Sequence, residues 1–226
     1  MLIDIHAHTM VGGSDSSISP EDLVQEAKRQ GLDGICFTEH GGGWDWKRFQ
    51  DFAARQDILV IHGLEVATEL GHIGTFGLHT YVSGIHKAER LREVIDSVGG
   101  YMIAVHPFRL FYSTRGSLLW SDGDKPATLE DASRHPMFEL TDAVEVLNGA
   151  NNDGENAAAF KVARLLERPC TAGSDAHSYH GVGCHVTIFE RDVGSEEEFL
   201  EELKAGRFRP ATGLRAGKLV PYEPSV

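Results

Sequence analysis

Short apolar runs alternate along this chain with longer segments that have helical spacing or helix boundary residues. The apolar runs predict strands at residues 1–5, 33–38, 57–66, 101–105, 143–147, 169–173, 186–189 and 207–211, with a glycine-interrupted apolar stretch at 73–82. Helices are predicted at residues 19–31, 44–55, 87–98, 156–166 and 195–204. Strands and helices alternate with few hairpin signals, which predicts a mainly parallel sheet.

The pattern predicts one domain over residues 1–226, because no repeat, low-complexity tract or linker divides it. Residues 109–141 are the least regular part and are rich in aromatic residues, serine, glycine and charge. A loop of this length is more often functional than idle. The last residues, about 216–226, are expected to form a short tail.

Composition indicates a globular protein without a broad basic face. Charged residues at 24% and hydrophobic residues at 41% argue against wholesale disorder. The net charge of −13 argues against binding of nucleic acid through a broad basic face. Bound cations would nevertheless make the charge inside a pocket positive. The three scattered cysteines predict no disulfide framework. Neither a signal peptide nor a membrane-spanning run is evident, so we expect a cytoplasmic protein.

The twelve histidines are the most informative feature of the composition, because several follow predicted strands. His6 and His8 are two residues apart, so both imidazoles project to one side of an extended chain; they make half of a divalent metal site or, equally, one packed and one exposed histidine. The metal-binding side chains at strand ends are His6, His8, His40, Glu65, His106, Asp175 and His177. In a barrel of alternating strands and helices these ends share one face, which predicts a metal centre.

Seven short motifs resemble those of the PHP (polymerase and histidinol phosphatase) family. They are His6-Ala7-His8-Thr9, Ser14-Asp15, Thr38-Glu39-His40, Gly63-Leu64-Glu65, Gly71-His72, Ala104-Val105-His106-Pro107-Phe108 and Gly173-Ser174-Asp175-Ala176-His177. The resemblance implies an α/β fold, a distorted seven-stranded (β/α)7 TIM-like barrel. It also implies a cluster of two or three divalent metal ions (Mn, Fe or Zn), at which most characterised members hydrolyse phosphoesters.

Carried over position by position, the resemblance implies three groups of ligands. They are His6, His8, Glu65 and Asp175 for a first metal; Glu65, His72 and His106 for a second; and Asp15, His40 and His177 for a third. In this arrangement the shared glutamate bridges two metals. If only two metals bind, the residues of the third group border the cluster without holding a metal of their own.

Three positions leave alternatives open. Asp15 stands where some members have histidine, which would weaken a third metal and favour harder ions. Glu39 stands where aspartate is commoner, and it either supports a ligand from behind or begins a helix. His72 competes with His79 for one ligand position. We favour His72 because it follows a glycine directly after the Glu65 strand, as the family motif does.

The implied chemistry is hydrolysis by a hydroxide that bridges two metals, since the cations lower the pKa of bound water and polarise the phosphoryl oxygen. A leaving group that needs a proton would take it from His177 or His79, if that side chain is not committed to metal. Arg109, three residues after His106, is a candidate for a bidentate clamp on the phosphate. A surface arginine at the start of a loop is the equal alternative.

Further polar residues have structural as well as functional interpretations. Asp4 is predicted to orient a ligand histidine from behind. Glu145 ends a strand, and it either points into the site or is a buried acid bonded to backbone. The loop side chains Phe111, Tyr112, Arg115 and Trp120 either cover the pocket and select substrate or pack the loop onto the barrel. No chemistry is assigned to His62, His86 and His135, whereas His180 and His185 are candidates for supporting the ligands.

The leading hypothesis is a metal-dependent phosphoesterase that acts on a small phosphorylated metabolite or nucleotide. An amidohydrolase-like hydrolase of another bond is the first rival hypothesis, since it would use the same metal-activated water. A non-catalytic metal-binding accessory domain is the second. A nucleic-acid substrate has little support from the sequence, because the chain is acidic and has no basic groove interleaved with aromatic residues.

Overall fold

Ten strands and seven α-helices make up the described part of the chain, which in this computed structural model comprises residues 1–41, 43–114, 116–120 and 124–224. The strands are β1 (Leu2–Ala7), β2 (Gly34–Glu39), β3 (Leu59–Thr68), β4 (Gly71–Phe76), β5 (Tyr101–Ala104), β6 (Ala143–Asn148), β7 (Cys170–Gly173), β8 (His185–Phe189), β9 (Phe208–Thr212) and β10 (Val220–Pro221). The helices are α1 (Pro20–Arg29), α2 (Trp46–Ala53), α3 (Ala88–Val98), α4 (Leu129–Ala132), α5 (Met137–Leu140), α6 (Asp153–Leu165) and α7 (Glu196–Ala205).

All of these strands belong to one sheet, in the order β10-β9-β8-β1-β2-β3-β4-β5-β6-β7, which curls into a half-barrel. The α/β class is as predicted, but a closed seven-stranded barrel is not formed. The mainly parallel sheet is also wrong, since five of the nine strand pairings in the described residues are antiparallel. The apolar stretch predicted at 73–82 lies partly in β4, which folds back on β3 as a hairpin.

β8 explains why the sheet does not close. It pairs antiparallel with Leu2 and Ile3, and so occupies the edge of β1 that β7 would need for a complete ladder. β7 instead approaches β1 through one isolated bridge beyond its end, between Ala7 and Ala176. Thr187 of β8 bonds the backbone of β7 where β1 is not paired with it: its hydroxyl donates to the Ala172 carbonyl and accepts from the Ala172 amide.

The helix boundaries follow from local capping chemistry. Ser19 caps α1 by accepting from the amide of Asp22, and Pro20 occupies the first turn, as predicted. α6 begins earlier than predicted, because Asn152 and Glu155 form a capping box in front of the alanine-rich segment. The helices cover the sheet with apolar side chains, and α7 places Phe199 and Leu203 in an apolar cluster with Ile3 and Ile5 of β1.

The irregular region contains the short helices α4 and α5 and packs onto the barrel. Phe111 and Trp120 contact each other and Phe108, with ring centroids 5.1–5.5 Å apart, which favours the packing interpretation for these two residues. Tyr112 is 57% exposed. Arg115 lies outside the described residues. The end of the chain is more than a tail, because β10 pairs with β9.

Two expectations from the composition concerned the cysteines and membrane-spanning segments. All three cysteines are free thiols. Within residues 1–41, 43–114, 116–120 and 124–224, no helix combines the length and the apolar character needed to cross a membrane.

Candidate metal centre

The ends of the strands bring the predicted ligands to one edge of the half-barrel. His6 and His8 come from the end of β1, and His40 directly follows β2. Glu65 lies within β3 and His72 near the start of β4, and the hairpin pairing of these strands returns both to the same edge. The remaining predicted ligands of the strand ends follow β5 and β7 and are His106, Asp175 and His177.

Two of these side chains are presented from an unusual backbone. His106 has a φ of 33° and Asp175 a φ of 52°, in the left-handed region that residues other than glycine rarely adopt. Both residues come just after a strand ends, so the chain turns sharply and directs the side chain inward. Backbone strain of this kind is common at functional sites, where the surrounding structure holds it in place.

The side chains predicted for a first metal converge at the buried centre of the cluster. Nε2 of His6 lies 3.1 Å from Nε2 of His8. Nε2 of His8 lies 3.2 Å from Oε2 of Glu65 and 3.3 Å from Oδ1 of Asp175. All four ligand atoms lie within 4.8 Å of one another, the spacing expected of groups that surround a single ion.

Glu65 connects this group to the second. Its other oxygen, Oε1, lies 2.7 Å from Nδ1 of His72 and 2.7 Å from Nε2 of His106. The two oxygens of one carboxylate therefore face different histidine groups, which is the geometry of a bridging ligand. Of the two competing histidines, His72 lies beside Glu65, whereas the ring of His79 bonds Glu196.

The third group lies at the rim. Nε2 of His40 is 3.1 Å from Oδ2 of Asp15, and Nε2 of His177 is 3.5 Å from the same oxygen. His8 is also within reach of His40 and His177. One nitrogen lone pair binds one cation, however, and Nε2 of His8 already faces the first group.

His6 shows that the donor set fits a cation. Its Nδ1 lies 2.8 Å from Oε1 of Glu145 and carries the proton, since a carboxylate only accepts. In a neutral ring Nε2 is then an acceptor, yet it faces carboxylate oxygens of Glu65 at 3.3 Å and Asp175 at 3.6 Å. Acceptors that converge in this way require a positive charge between them, either a cation or a second proton on the ring.

The pKa values express the same electrostatic demand. Burial lowers the pKa of His6, but the charges of Glu145, Asp175 and Glu65 outweigh it and hold that pKa well above its usual value. Burial raises the pKa of Glu65, whereas the charge of His6 and the hydrogen bonds from the surrounding histidines lower it well below its usual value. The pKa of Asp175 is lowered in the same way. The carboxylates are therefore ionised at neutral pH and attract positive charge.

Arg109 reaches this centre, but its hydrogen bonds differ from those of the predicted bidentate clamp. Nη2 donates to Oδ2 of Asp175 and, at 2.7 Å, to Oδ1 of Asn148, while Nε donates to Asn151 at 3.3 Å. Both hydrogens of Nη2 and the hydrogen of Nε are thus engaged. Only Nη1 has no hydrogen bond within the described residues.

Two sequence profiles match the chain. The family described as PHP domain matches residues 4–122, and the one described as PHP-associated matches residues 153–208. The first match covers more than half of the chain. This protein belongs to the PHP family.

Curated relatives match either a short segment or most of this PHP-family chain. Error-prone DNA polymerase of Mycobacterium bovis is 36% identical over 64 residues, which are 28% of this chain and 6% of the polymerase. The chain thus aligns with only a small part of that relative's length. An uncharacterised protein of Methanocaldococcus jannaschii is 28% identical over 183 residues, covering 74% of this chain and 94% of that protein.

Solved structures share the fold of this PHP-family chain at low sequence identity. A putative metal-dependent phosphoesterase from Bifidobacterium adolescentis has a TM-score of 0.58 at 17% identity and covers 89% of this chain and 95% of its own. The lesion-specific endonuclease from Pyrococcus furiosus has a TM-score of 0.58 at 18% identity and covers 90% of this chain and 56% of its own. At this identity the likeness concerns the fold.

Glu145, rather than Asp4, holds the ring of the predicted ligand His6. Its Oε1 accepts from the His6 ring, and its Oε2 accepts from the backbone amide of His106 and the Asn148 amide group. Both interpretations of Glu145 are therefore correct. Asp4 accepts from the backbone amides of His6, Ser174 and Gly183, so it joins chain segments and does not orient an imidazole.

Glu39 supports the loop that follows His8. Its carboxylate accepts from the amide and hydroxyl of Thr9 and from the indole of Trp44 at 3.3 Å. The helix-start interpretation is wrong, because Asp45 caps α2. Glu39 therefore supports the site from behind without a hydrogen bond to a ligand imidazole.

His79 is not brought to the PHP metal cluster. It follows the end of β4 that lies away from the predicted ligands, where Phe76 pairs with Gly63 and Tyr101. His72 lies at the opposite end of the strand, beside those ligands. Its Nε2 bonds Glu196 at 2.7 Å, and its ring stacks on Trp46 at 3.5 Å. A proton donor at the cluster therefore has to be sought elsewhere, which leaves His177 of the two candidates.

His180 and His185 do not support the ligands through their rings. The ring of His185 bonds the hydroxyl of Thr212 at 3.1 Å. His180 contacts Tyr179 with its ring and accepts from Arg215 through its carbonyl. Among the described residues, neither ring contacts a predicted ligand.

Asn148 is a polar residue at the centre that sequence reasoning missed. It ends β6 directly, and its amide group contacts Arg109, Glu145 and Asp175. The signal that found the ligands, a polar side chain at a strand end, applies to it as well. Asparagine is an uncommon metal ligand beside histidine, so the search for ligands passed over it.

Proposed function

We propose that this chain is a hydrolase of small phosphoesters that works with two or three divalent cations, of which manganese, iron and zinc are the candidates. The observation that carries the proposal is the bridging geometry of Glu65, whose two oxygens face different sets of histidines within 2.7–3.4 Å. Bound there, the cations would lower the pKa of a water molecule and polarise the phosphoryl oxygen.

The residues of the chain have separate tasks in this proposal. His6, His8, Glu65 and Asp175 would hold the first cation; His72 and His106 would join Glu65 at the second; Asp15, His40 and His177 would hold the third. Nη1 of Arg109 would bind a phosphate oxygen beside Asp175 and offset its charge. Protein ligands fix the positions of the cations, and the arginine orients the phosphate against them.

His177 would serve in one of two ways. Its Nδ1 lies 3.0 Å from the carbonyl of Asp175 and donates to it, so Nε2 is left to hold a cation at the rim. With only two cations bound, the same nitrogen is placed to hold a proton for the leaving oxygen. The number of cations thus decides between a ligand and an acid.

A small substrate is supported by charge. The chain has a net charge of −13, which repels a nucleic-acid backbone outside the immediate reach of the cations. The fold likeness to a lesion-specific endonuclease keeps DNA as a rival substrate. Two rival functions are hydrolysis of a non-phosphate bond and a non-catalytic metal-binding role, and the activity measurements distinguish all of them.

The test begins with the metal content of purified wild-type protein and of Glu65→Gln, measured by elemental mass spectrometry. We expect about two to three equivalents in wild type and a marked loss in the variant, which keeps the shape of the bridge but not its charge. Metal-free wild type that also takes up no Mn²⁺, Fe²⁺ or Zn²⁺ on incubation would sink the proposal.

Activity is then measured on an aryl phosphate monoester, an aryl phosphate diester, an amide, a lactone and a duplex DNA with an abasic site. We expect hydrolysis of a phosphoester, lowered at least about a hundredfold in Glu65→Gln. Amide or lactone hydrolysis alone would establish the second kind of hydrolase. Cleavage of the DNA without action on small esters would replace the substrate class, and metal binding without any activity would favour the accessory role.

A further inference from the structure

Asn148 connects three parts of the site, although it belongs to none of the ligand groups. Its side chain is fully buried at the end of β6. Oδ1 accepts from Nη2 of Arg109 at 2.7 Å and from the amide of Ala150 at 2.9 Å. Nδ2 donates to Oε2 of Glu145 at 2.9 Å and to Oδ2 of Asp175 at 3.3 Å. The carboxamide therefore uses all of its hydrogen-bonding capacity.

The orientation of this carboxamide is determined by its neighbours. A guanidinium and a backbone amide can only donate, so they require the oxygen. The carboxylate oxygens of Glu145 and Asp175 accept hydrogen bonds, so they require the NH₂ group. A flipped amide would oppose donors to donors and acceptors to acceptors. An aspartate at this position would add a third carboxylate beside Glu145 and Asp175, and alanine would remove the amide from all of these partners.

These contacts divide the two oxygens of Asp175 between two tasks. Oδ2 is held by Arg109 and Asn148, whereas Oδ1 faces Nε2 of His8 at 3.3 Å. Glu145 is divided similarly, since Oε2 accepts from Asn148 while Oε1 holds the His6 ring at 2.8 Å. One amide group thus positions Asp175, which is a member of the first group, Glu145, which supports its member His6, and the arginine beside them.

We propose that Asn148 is a positioning residue that presents Asp175 to a cation through one oxygen, fixes the His6 ring through Glu145, and anchors Arg109. The inference rests on the proposed function, because it assumes that the first group of ligands binds a cation. Loss of outer hydrogen-bond partners of metal ligands lowers metal affinity by about 10–100-fold. Asn148 has to act through Asp175, Glu145 and Arg109, since its amide is committed to them.

The experiment measures the Kd of the full chain for Mn²⁺ by competition with a fluorescent chelator. We expect Asn148→Ala to raise the Kd of the tightest Mn²⁺ about tenfold. Asn151→Ala is the matched control, since it deletes the same chemical group three residues further along the chain, and among the described residues that group bonds only Nε of Arg109, at 3.3 Å. A value for Asn148→Ala within about twofold of wild type, or equal to that of Asn151→Ala, would overturn the inference.

A double-mutant cycle with Arg109→Ala separates positioning from a general structural role. If Asn148 acts partly through Arg109, Asn148→Ala changes the Kd less in the Arg109→Ala background than in wild type, whatever Arg109→Ala does alone. An equal change in both backgrounds overturns that part of the inference. Circular dichroism checks the fold of each variant, and Asn148→Leu, of similar volume without the amide, decides the question if the alanine variant does not fold.

Failure of the inference is distinguishable from failure of the proposed function. Wild type that binds no Mn²⁺ overturns both. Wild type that binds Mn²⁺ tightly, with the same Kd in a folded Asn148→Ala, overturns the inference alone and leaves the hydrolase proposal in place.

Discussion

At the scale of single residues, the same side-chain type does different work at the two ends of one strand. His72 lies at the start of β4 and His79 just after its end, and both are within a few residues of a glycine. His72 faces Glu65 at 2.7 Å, whereas His79 bonds Glu196 and stacks on Trp46. Proximity to a family motif in the sequence therefore favours one histidine over the other as a ligand. Which of them lies near Glu65 depends on the direction of β4.

These two histidines make a matched pair for a first prediction. We expect His72→Ala to lower the metal content by about one equivalent per chain, because the second cation loses one of its ligands. His79→Ala should retain the wild-type content, since the residue contacts the far end of the half-barrel. Elemental analysis of both variants checks this. Depletion in His79→Ala, or full occupancy in His72→Ala, would contradict the placement.

At the scale of elements, the approach of β7 to β1 shapes the centre. A Cβ on Gly173 would lie 2.3 Å from Cβ of His6 and 2.9 Å from its backbone nitrogen. No side chain fits there, so the glycine permits β7 to bring Asp175 beside His6. This close contact is a requirement of the site as much as of the sheet.

We therefore expect Gly173→Ala to lower the free energy of unfolding by about 1–3 kcal/mol and to weaken metal binding, because His6 must move. Chemical denaturation and chelator competition measure the two effects. Gly194→Ala is the control, since an added Cβ there meets only the end of the Glu198 side chain at 3.4 Å. Equal stability and metal affinity in the two variants would argue that β7 has room to shift.

Another consequence at this scale concerns His62, which β3 buries on the side of α2. Both ring nitrogens lack a hydrogen-bond partner among the described residues, and the ring meets Phe49 and Trp46 edge-on with centroids 5.0 and 5.8 Å away. Burial and the charge of His79 lower the pKa of His62 to about 4. The histidine thus packs as a neutral ring, in agreement with the expectation that it does no chemistry.

Because the folded pKa of His62 lies below the unfolded value of about 6.5, the unfolded chain binds the proton first on acidification. The contribution of neutral His62 to the free energy of unfolding is present in full above about pH 6.5. It is lost as the pH falls toward 4, by about 3 kcal/mol in total. Urea unfolding of metal-loaded wild type and His62→Leu checks this, since the remaining titrating groups are common to both. The gap in stability between the two proteins should change across this range, with wild type losing more. A constant gap would contradict the buried neutral ring.

At the scale of the whole molecule, the cations should contribute to folding. The cluster assembles ionised carboxylates and histidines from β1, β3, β5 and β7, which lie far apart in the chain. Without positive charge these groups repel or require protons. Cations would bind only the assembled arrangement, so they would stabilise the folded state by mass action.

We accordingly expect a chelator to lower the melting temperature of wild type, in line with a contribution of about 3 kcal/mol at a hundredfold excess of metal over Kd. Glu65→Gln should respond less, because it binds less metal at the start. Differential scanning fluorimetry with and without chelator measures both. An unchanged wild-type melting temperature, despite removal of the metal, would show that the fold alone keeps the predicted ligands in this arrangement.

Within the described residues, local sequence was sufficient for eight of the ten strands, five of the seven α-helices and most of the candidate ligands. A strand needs only a short apolar run, and a side chain that follows it lies at the sheet edge whatever the rest of the chain does. For this reason seven of the nine proposed ligands could be named from strand ends before the fold was known, whereas Asp15 and His72 were named from the family resemblance. The structure gathers all nine at one edge.

The tertiary structure decided everything that depends on which distant segments meet. The edge pairing of β8 with β1 opened the barrel, and the reversal of β4 separated His72 from His79. Glu145 instead of Asp4 reached the ring of His6, and Asn148 joined Arg109 to Asp175, which lies 66 residues further along the chain. Periodicity along one segment carries no information about such pairings, because they are set by long-range packing and by the donors and acceptors that packing brings together.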